Sequence, residues 1–139
     1  MRFACCLTLG FVTLLCGCGG GVTDQPNLGR VTGVITLDDE PLSGAVVVFT
    51  PESGRSSMGE TNEDGQYELV YIRDTKGATI GTHSVTISKQ EAPAGANPNE
   101  PDAGSPAELV PARYNSATTL TAEVKAEGNE IDFPLKSNP

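Results

Sequence analysis

Residues 30–136 alternate apolar and polar side chains in short runs, and turn-forming residues separate the runs. A period of two residues is typical of β-strands that turn one face to a core. No 3.6-residue pattern extends beyond about one turn of helix. We therefore predict an all-β domain in which six or seven short strands form two packed antiparallel sheets, a β-sandwich.

Three local features refine this prediction. The continuous apolar run at 45–49 predicts a strand that is covered on both faces. Residues 62–65 predict a tight turn, in which Asp64 caps the turn and Gly65 supplies a positive φ. The run at 131–135 is expected to pair back on the strand before it as a terminal hairpin. Pro134 has no N–H to donate, which predicts a place at a sheet edge.

Residues 89–111 differ in composition from the rest of the domain. They are rich in Glu, Ala, Pro, Gly, Asn and Asp, and Leu109 and Val110 are their only large apolar residues. Such a segment cannot bury enough surface to offset an ordering entropy of about 1–2 kcal/mol per residue. We predict a mobile loop here, after which the sandwich resumes.

The first 17 residues have the order of a secretory signal: Arg2, an apolar run at 3–15, and then small residues. The run is too short to span a bilayer, which needs about 20 apolar residues. It ends in Leu15-Cys16-Gly17-Cys18, which resembles the bacterial lipobox, where a cysteine follows Leu-x-Gly. The resemblance implies cleavage before Cys18, diacylglycerol on its thiol, and acylation of its new amino group by a fatty acid such as palmitate.

Cysteine usage agrees with lipidation. All 4 cysteines (Cys5, Cys6, Cys16 and Cys18) lie within the first 18 residues, and none follows them. Several acyl chains together hold a protein stably at a membrane, whereas one chain binds only marginally. We expect an extracytoplasmic lipoprotein anchored to a bacterial membrane (outer membrane or plasma membrane), with residues 18–29 as a flexible tether. The alternative is an ordinary signal peptide with Cys18 incidental.

Charge and composition narrow the partners. The chain has 9 basic and 18 acidic residues, a net charge of −9, which argues against binding to nucleic acid. His83 is the only histidine, so sites that need two imidazoles are excluded, and we expect it at a strand edge. Residues 62–65 lack the distant glutamate of a calcium loop. We expect no metal, no cofactor and no catalytic residues.

Three stretches of the domain resemble the carboxypeptidase regulatory-like domain, which has a transthyretin-like (prealbumin-like) sandwich. They are Val31-Thr32-Gly33-Val34-Ile35-Thr36-Leu37 with Pro41-Leu42-Ser43-Gly44-Ala45, then Thr61-Asn62-Glu63-Asp64-Gly65-Gln66-Tyr67, then Gly81-Thr82-His83-Ser84-Val85-Thr86-Ile87. Residues 109–116, followed by Leu120-Thr121, are similar to small lipoproteins of planctomycete bacteria. The resemblance covers residues 30–136 and implies a transthyretin-like fold, but no defined activity.

Arg113, Tyr114 and Asn115 follow the predicted loop and are the candidate binding residues. A tyrosine gives rigid contact area and an arginine gives paired hydrogen bonds, so together they could form a polar binding rim. The alternative is structural, with Tyr114 packed on the sandwich and Arg113 paired with an acidic side chain.

The expected function is a non-enzymatic binding or structural module of the cell envelope. An envelope protein is the first expected partner, with sheet-edge pairing at the terminal strand as one route. A carbohydrate-binding module with a glycan partner is the alternative, although Trp is absent. A hydrolase of the hydroxyisourate type is disfavoured, because that family ends in Tyr-Arg-Gly-Ser and uses two histidines.

Overall fold

The computed structural model describes residues 26–91 and 106–138, which form strands and one 3-10 turn at Ala112–Tyr114. The strands are β1 (Leu28–Gly29), β2 (Val31–Leu37), β3 (Glu40–Pro41), β4 (Val46–Pro51), β5 (Ser57–Glu60), β6 (Gln66–Glu68), β7 (Val70–Ile72), β8 (Thr75–Lys76), β9 (Ala78–Thr79), β10 (Gly81–Ser88), β11 (Gln90–Glu91), β12 (Ala107–Glu108), β13 (Thr121–Val124), β14 (Asn129–Glu130) and β15 (Phe133–Leu135).

The first sheet has the strand order β13-β10-β4-β5-β7-β8, and all its neighbours are antiparallel. Its longest pairing joins β10 to β4, from His83 opposite Pro51 to Ser88 opposite Val46. Alternate residues of these strands turn inward. The fully buried ones include Phe49 on β4 and Val85 on β10.

The second sheet is built around β2. On one side β2 pairs antiparallel with β6 and β3, and on the other side it pairs parallel with β14 and β15. Phe133 of β15 lies opposite Ile35 of β2, and both side chains are buried. Every strand of this sheet therefore depends on β2 for its backbone hydrogen bonds.

The two sheets are joined by one interrupted strand. β6 pairs with β2 in the second sheet, while β7 pairs with β5 in the first. Leu69, between them, is fully buried, and its N–H donates to the carbonyl of Val31 at 3.0 Å. The chain thus changes sheets at Leu69 without leaving a backbone donor unpaired in the core.

The core lies between the two sheets and includes an aromatic contact across them. The Phe133 ring lies 6.1 Å from the Phe49 ring, edge to face, and 6.3 Å from the Tyr67 ring. The buried apolar residues are Val31, Ile35, Leu42, Ala45, Val47, Phe49, Tyr67, Leu69, Ala78, Val85, Ile87, Val110, Val124, Phe133 and Leu135. The prediction of an all-β sandwich is confirmed. Seven principal strands result when strands of at least three residues are counted and β6 and β7 are taken as one.

The predicted terminal hairpin is wrong. β13 belongs to the first sheet, where it pairs with β10, whereas β15 pairs parallel with β2 in the second sheet. Phe133 and Leu135 reach the core from β2's side, which an antiparallel hairpin with β13 would not allow. The prediction that Pro134 lies on an edge strand is confirmed, because β15 pairs only with β2 within the described residues.

Two further local expectations are corrected. The run at 45–49 is not covered on both faces: Val47 and Phe49 are buried, but Val46 is 37% exposed on the outer face. In the turn, the side chain of Asn62, not Asp64, accepts hydrogen bonds from the N–H groups of Asp64 (3.0 Å) and Gln66 (2.9 Å). Gly65 has the predicted positive φ, 75°.

Both ends of the 89–111 segment take part in the fold. β11 and β12 pair antiparallel, with Gln90 opposite Glu108, and Val110 is buried in the core. The middle of the predicted loop, 92–105, lies outside the described residues, as do the predicted signal and most of the predicted tether. The tether's last two residues form β1, which pairs with β9.

Gly33 on β2 permits a close approach of neighbouring residues in the second sheet. A Cβ at this position would clash with the Ile131 carbonyl and lie 2.9 Å from Cε1 of Tyr67. Tyr67 covers Gly33 from β6 and donates a hydrogen bond to the Ile131 carbonyl at 2.6 Å. The three residues therefore pack across β2 only because residue 33 has no side chain.

We predict that Gly33→Ala lowers the free energy of unfolding by about 1–3 kcal/mol, because the added methyl overpacks this contact. Denaturant unfolding measures the change. Gly128→Ala is the matched control: a Cβ there meets nothing within 4 Å, and the change should stay within about 0.5 kcal/mol. Equal effects at both glycines would contradict the close packing at Gly33.

Candidate functional site

The candidate binding residues lie on a strap, which we define as residues 109–120, between β12 and β13. The strap is held at one end by Val110, whose side chain is 2% exposed. Pro111 follows with φ −54°, a value its ring favours, and leads into the 3-10 turn. The turn therefore presents Arg113, Tyr114 and Asn115 together beside β15 and β10.

The Arg113 guanidinium is bonded to the chain's own C-terminal segment. Its Nη2 donates to the carbonyl of Lys136 and, at 2.8 Å, to the carbonyl of Asn138. The guanidinium carbon also lies 4.8 Å from the centre of the Tyr114 ring, in cation–π geometry. Arg113 is thus bound to backbone carbonyls. None of the ion pairs among the described residues involves Arg113.

Tyr114 bonds the same segment from its hydroxyl. The N–H of Lys136 donates to the Tyr114 hydroxyl oxygen at 3.1 Å, and the ring packs against the core. Hydrogen bonding from the Arg113 side chain, followed by the bond from the Lys136 backbone, lowers the pKa of Tyr114. Tyr114 and Arg113 therefore bind both the N–H and the carbonyl of Lys136.

The Asn115 side chain contacts backbone carbonyls of the strap and of β10. Its side-chain amide nitrogen lies 3.1 Å from the Val110 carbonyl oxygen and 3.4 Å from the carbonyl oxygens of Ile87 and Pro111. Its side-chain oxygen accepts from the N–H of Ser116 at 2.6 Å. All three candidate residues are thus brought together, and each has polar contacts within the protein.

These contacts close the outer edge of β15. The backbone carbonyl of Leu135 points toward β2 and accepts from the N–H of Asp38, just after β2, at 2.9 Å. Because backbone groups alternate between the two edges of a strand, those of Pro134 and Lys136 point to the outer edge of β15. Pro134 has no donor, and Lys136 already bonds Tyr114 and Arg113. At these two positions the terminal strand has no free N–H for strand addition.

The turn between β2 and β3 holds the C-terminal segment from the opposite side. Asp38 accepts from the N–H of Ser137 at 3.0 Å, and Lys136 forms an ion pair with Asp39 at 2.8 Å. Hydrogen bonds from Ser137 lower the pKa of Asp38. Asp38 and Asp39 both have positive φ, 52° and 71°, as a two-residue type I′ hairpin turn requires.

His83 lies inside the sandwich, and the expectation of an edge position is wrong. It is on β10, between β13 and β4, and is only 2% exposed. Nδ1 lies 3.0 Å from the carbonyl oxygen of Gly81, and Nε2 lies 3.1 Å from the hydroxyl of Thr79. Both ring nitrogens are therefore occupied.

A groove lies on the second sheet, where β2, β5 and β6 meet. It is open and has a volume of about 540 Å³. Glu68 on its wall forms ion pairs with Lys76 and Arg30, each at 2.8 Å. The hydrogen bond from Lys76, and to a smaller extent the one from Arg30, lowers the pKa of Glu68. The lining residues are Thr32, Gly33, Val34, Glu60, Asn62, Gln66, Tyr67, Glu68 and Glu130.

A second groove of about 530 Å³ runs beside the strap. It is lined by residues 108–112 together with Asn115, Ser116 and Ser137. Leu109, 41% exposed, is the large apolar side chain at its wall. The candidate residue Asn115 thus borders a groove, although its amide nitrogen is directed to backbone carbonyls.

The remaining predicted site, Cys18, lies outside the described residues. Within 26–91 and 106–138, no group of three or more His, Cys, Asp or Glu side chains is placed to hold a metal ion. The same part of the chain contains no helix long and apolar enough to cross a membrane.

Sequence reasoning missed Asn129, whose side chain bonds the backbone of Lys125, the residue directly after β13. Its side-chain oxygen accepts from the N–H of Lys125 at 3.0 Å, and its side-chain nitrogen donates to the carbonyls of Lys125 and Arg30, both at 3.0 Å. The sequence Glu127-Gly128-Asn129 was the available signal, because Asn side chains in turns often bond nearby backbone. The bond to Arg30, 99 residues away, had no such signal.

No protein-family model matches the chain, and no curated protein matches it. Among solved structures, it is similar to a DUF3823 family protein from Parabacteroides merdae ATCC 43184, with 11% sequence identity and a TM-score of 0.40. The comparison covers 79% of this chain and 46% of that chain, so this chain spans less than half the length of the solved protein.

We predict that Arg113→Ala lowers the free energy of unfolding by about 1 kcal/mol, because two backbone carbonyls lose their donor. Thermal or denaturant unfolding measures this loss. Arg55→Ala, at an exposed arginine, is the matched control and should change stability by less than about 0.5 kcal/mol. If Arg113→Ala leaves stability unchanged, the contacts with the C-terminal segment do not stabilise the fold.

Proposed function

We propose that the chain is a non-enzymatic lipoprotein, anchored to a bacterial membrane on its extracytoplasmic side, whose sandwich is a binding or structural module of the cell envelope. The observation that carries the anchor is the Leu15-Cys16-Gly17-Cys18 pattern after an apolar run, with no cysteine beyond it. The pattern is compatible with either the outer membrane or the plasma membrane.

The anchor would sit close to the sandwich. Nine residues lie between Cys18 and the first strand residue, Leu28, and the chain from one to the other spans at most about 35 Å. Diacylglycerol on the Cys18 thiol and a fatty acyl chain such as palmitate on its amino group would supply the several chains that stable anchoring needs. The sandwich would therefore stay near the membrane surface.

We also propose that the sandwich is a carboxypeptidase regulatory-like domain of the transthyretin-like type, as in small planctomycete lipoproteins. In support, the stretches that carry the resemblance coincide with structural elements. Residues 31–37 are β2, residues 81–87 lie within β10, and residues 61–67 contain the turn that Asn62 caps.

The bonding of the polar groups supports a non-enzymatic role. A general base needs a nitrogen or oxygen that can reach a substrate. His83, the only imidazole, is buried with both of its nitrogens hydrogen-bonded. The hydroxyisourate-type alternative also lacks the terminal motif and the second histidine of that family.

An envelope protein with a basic contact surface is the partner that we favour, and the groove on the second sheet is the favoured docking place. Glu60 and Glu130 are exposed there, and the chain as a whole carries a charge of −9. Opposite charges speed encounter and select partners. The alternative glycan partner is supported by the Asn62 and Gln66 amides in the groove, but the Tyr67 ring, 3% exposed, offers no stacking face.

The anchor is tested by replacing the acceptor thiol. Cys18→Ser should move the protein from the membrane fraction to the soluble fraction, because serine cannot form the thioether. Cys16→Ser is the matched control and should stay with the membrane. Persistent sedimentation of Cys18→Ser with membranes would contradict the anchor.

The partner surface is tested by placing a photo-cross-linking amino acid at position 130 in cells. It should capture a discrete protein adduct that the same amino acid at the exposed position 55 does not. Addition of a basic peptide should reduce the adduct. Equal labelling at both positions, or adducts only with glycan, would contradict the protein partner.

A further inference from the structure

β13 is an edge strand of the first sheet, and its outer side is open. It pairs with β10 on one side, and no strand of the described residues pairs with its other side. The N–H of Val85 on β10 donates to the carbonyl of Leu120 at 2.9 Å, so Leu120 and every second residue after it direct their backbone groups toward β10. Because backbone groups alternate along a strand, those of Thr121 and Glu123 point outward, and both residues are exposed.

Two side chains limit the length of this open edge. After β13, the Asn129 side chain accepts from the N–H of Lys125 and donates to its carbonyl, both at 3.0 Å, so the next outward position is occupied. Before β13, the Thr118 hydroxyl accepts from the N–H of Leu120 at 3.2 Å, which ends the regular pairing with β10. The open regular edge therefore lies at positions 121 and 123.

Two other edges of the sandwich are protected against pairing, whereas this one is not. On β15, Pro134 has no N–H, and Lys136 is already bonded to Tyr114 and Arg113. β8 has only two residues. β13 has four residues and contains neither proline nor lysine, and Glu123 is its single charge. An exposed edge without such protection is a template for another strand.

The sequence of β13 complements a second copy of itself in one antiparallel register. With the two-fold axis beside Ala122, Thr121 of one copy lies opposite Glu123 of the other, and the outward N–H and carbonyl groups of both copies all pair. On the inner face, Ala122 then lies opposite Ala122, and Leu120 lies opposite Val124. A register centred on Glu123 would place two carboxylates opposite each other, and one centred on Thr121 would place Glu123 opposite position 119, outside β13.

The inner face of the edge also favours a second copy. Leu120 and Ala122 pack against the core but are only partly buried, whereas Val124 is 1% exposed. A second β13 would extend the sheet and cover the open sides of Leu120 and Ala122 with apolar side chains. On the outer face, each carboxylate would meet a threonine hydroxyl, which can donate a hydrogen bond to it.

We propose that β13 is a self-association edge: two copies of this chain pair antiparallel through residues 120–124, centred on Ala122, and join their first sheets into one continuous sheet. The edge is separate from the groove between β2, β5 and β6, and its pairing does not require the lipid anchor. So short an edge is smaller than the interfaces of about 1,200 Å² or more that stable complexes bury, so the dimer is weak in solution. Two copies anchored in one membrane would meet at a higher effective concentration.

Disulfide trapping tests the register. Position 122 forms a non-hydrogen-bonded pair in the proposed dimer, with Cα atoms about 4.5 Å apart, a separation that a disulfide can bridge. Under mild oxidation, Ala122→Cys in the full chain should therefore give a disulfide-linked dimer, in native membranes and in purified protein at high concentration. The unsubstituted chain controls for its own cysteines, and peptide mapping should place the bond between two copies of position 122.

Thr121→Cys is the matched control. Residue 121 is more exposed than residue 122, but in this register it lies diagonal to its own copy, about 7–8 Å away, which is too far for a disulfide. Thr121→Cys alone should give little dimer, and mixing it with Glu123→Cys should give a mixed disulfide. The proposal is overturned if Thr121→Cys alone cross-links as well as Ala122→Cys. It is also overturned if folded Ala122→Cys stays monomeric or is linked only to a different protein.

Thr121→Pro separates edge pairing from folding. It removes an outward N–H that has no strand partner among the described residues, at the first position of an edge strand, where proline is tolerated. Added to Ala122→Cys, it should weaken dimer formation by about tenfold, because each copy loses one hydrogen bond across the interface. The thermal unfolding midpoint of the monomer should change little. Unchanged cross-linking would overturn the proposal.

Salt dependence distinguishes self-association from binding of a basic partner in the groove. Each copy carries a net charge of −9, so screening by added salt should strengthen the pairing of two copies. The same salt should weaken the binding of a basic partner. A cross-linked fraction of Ala122→Cys that falls as salt is added would overturn pairing with a second copy.

Discussion

The Tyr67 side chain crosses the central strand of the second sheet at Gly33 and donates a hydrogen bond to the Ile131 carbonyl at 2.6 Å. This contact joins β6, β2 and the segment between β14 and β15. Burial, assisted by the charge of Asp132, raises the pKa of Tyr67, so its hydroxyl stays protonated and remains a donor. Two residues beyond Ile131, Phe133 enters the core and packs edge to face on Phe49 of the first sheet. The stacking of the two sheets therefore depends on a residue without a side chain.

The inward and outward faces of the strands could be predicted from residue alternation alone. Val31 and Ile35 on β2, and Val85 and Ile87 on β10, are all buried as their spacing of two requires. Alternation does not say which strand lies beside which. β15 pairs parallel with β2, which lies about 100 residues earlier in the chain. This pairing follows from the packing of the whole core, and no local sequence pattern predicts it.

The candidate site was harder to predict for the same reason. Arg113 and Tyr114 were recognisable as an adjacent charged and aromatic pair, but their contacts lie 22 to 25 residues further along the chain. His83 alternates with exposed neighbours, Thr82 and Ser84, so its inward direction was readable. The interior position of β10 in its sheet could not be predicted, because it depends on the pairing of β13 with the free side of β10.

The polar groups of this sandwich mainly hold its own irregular segments. Arg113 and Tyr114 close the edge of the terminal strand, as natural sheets commonly require to avoid unwanted pairing. Asn129 similarly bonds the N–H and the carbonyl of Lys125, directly after β13. The open groove between β2, β5 and β6 carries the exposed residues Glu60 and Glu130, which is why we place the partner there.

The lipid anchor is tested most directly by intact mass spectrometry of the protein purified from the membrane of its native cells. Our account predicts a mass equal to residues 18–139 plus one diacylglyceryl group, with or without an additional acyl chain on the amino group. A mass that matches an unmodified polypeptide would contradict the anchor, and the sandwich would then be a freely diffusing domain.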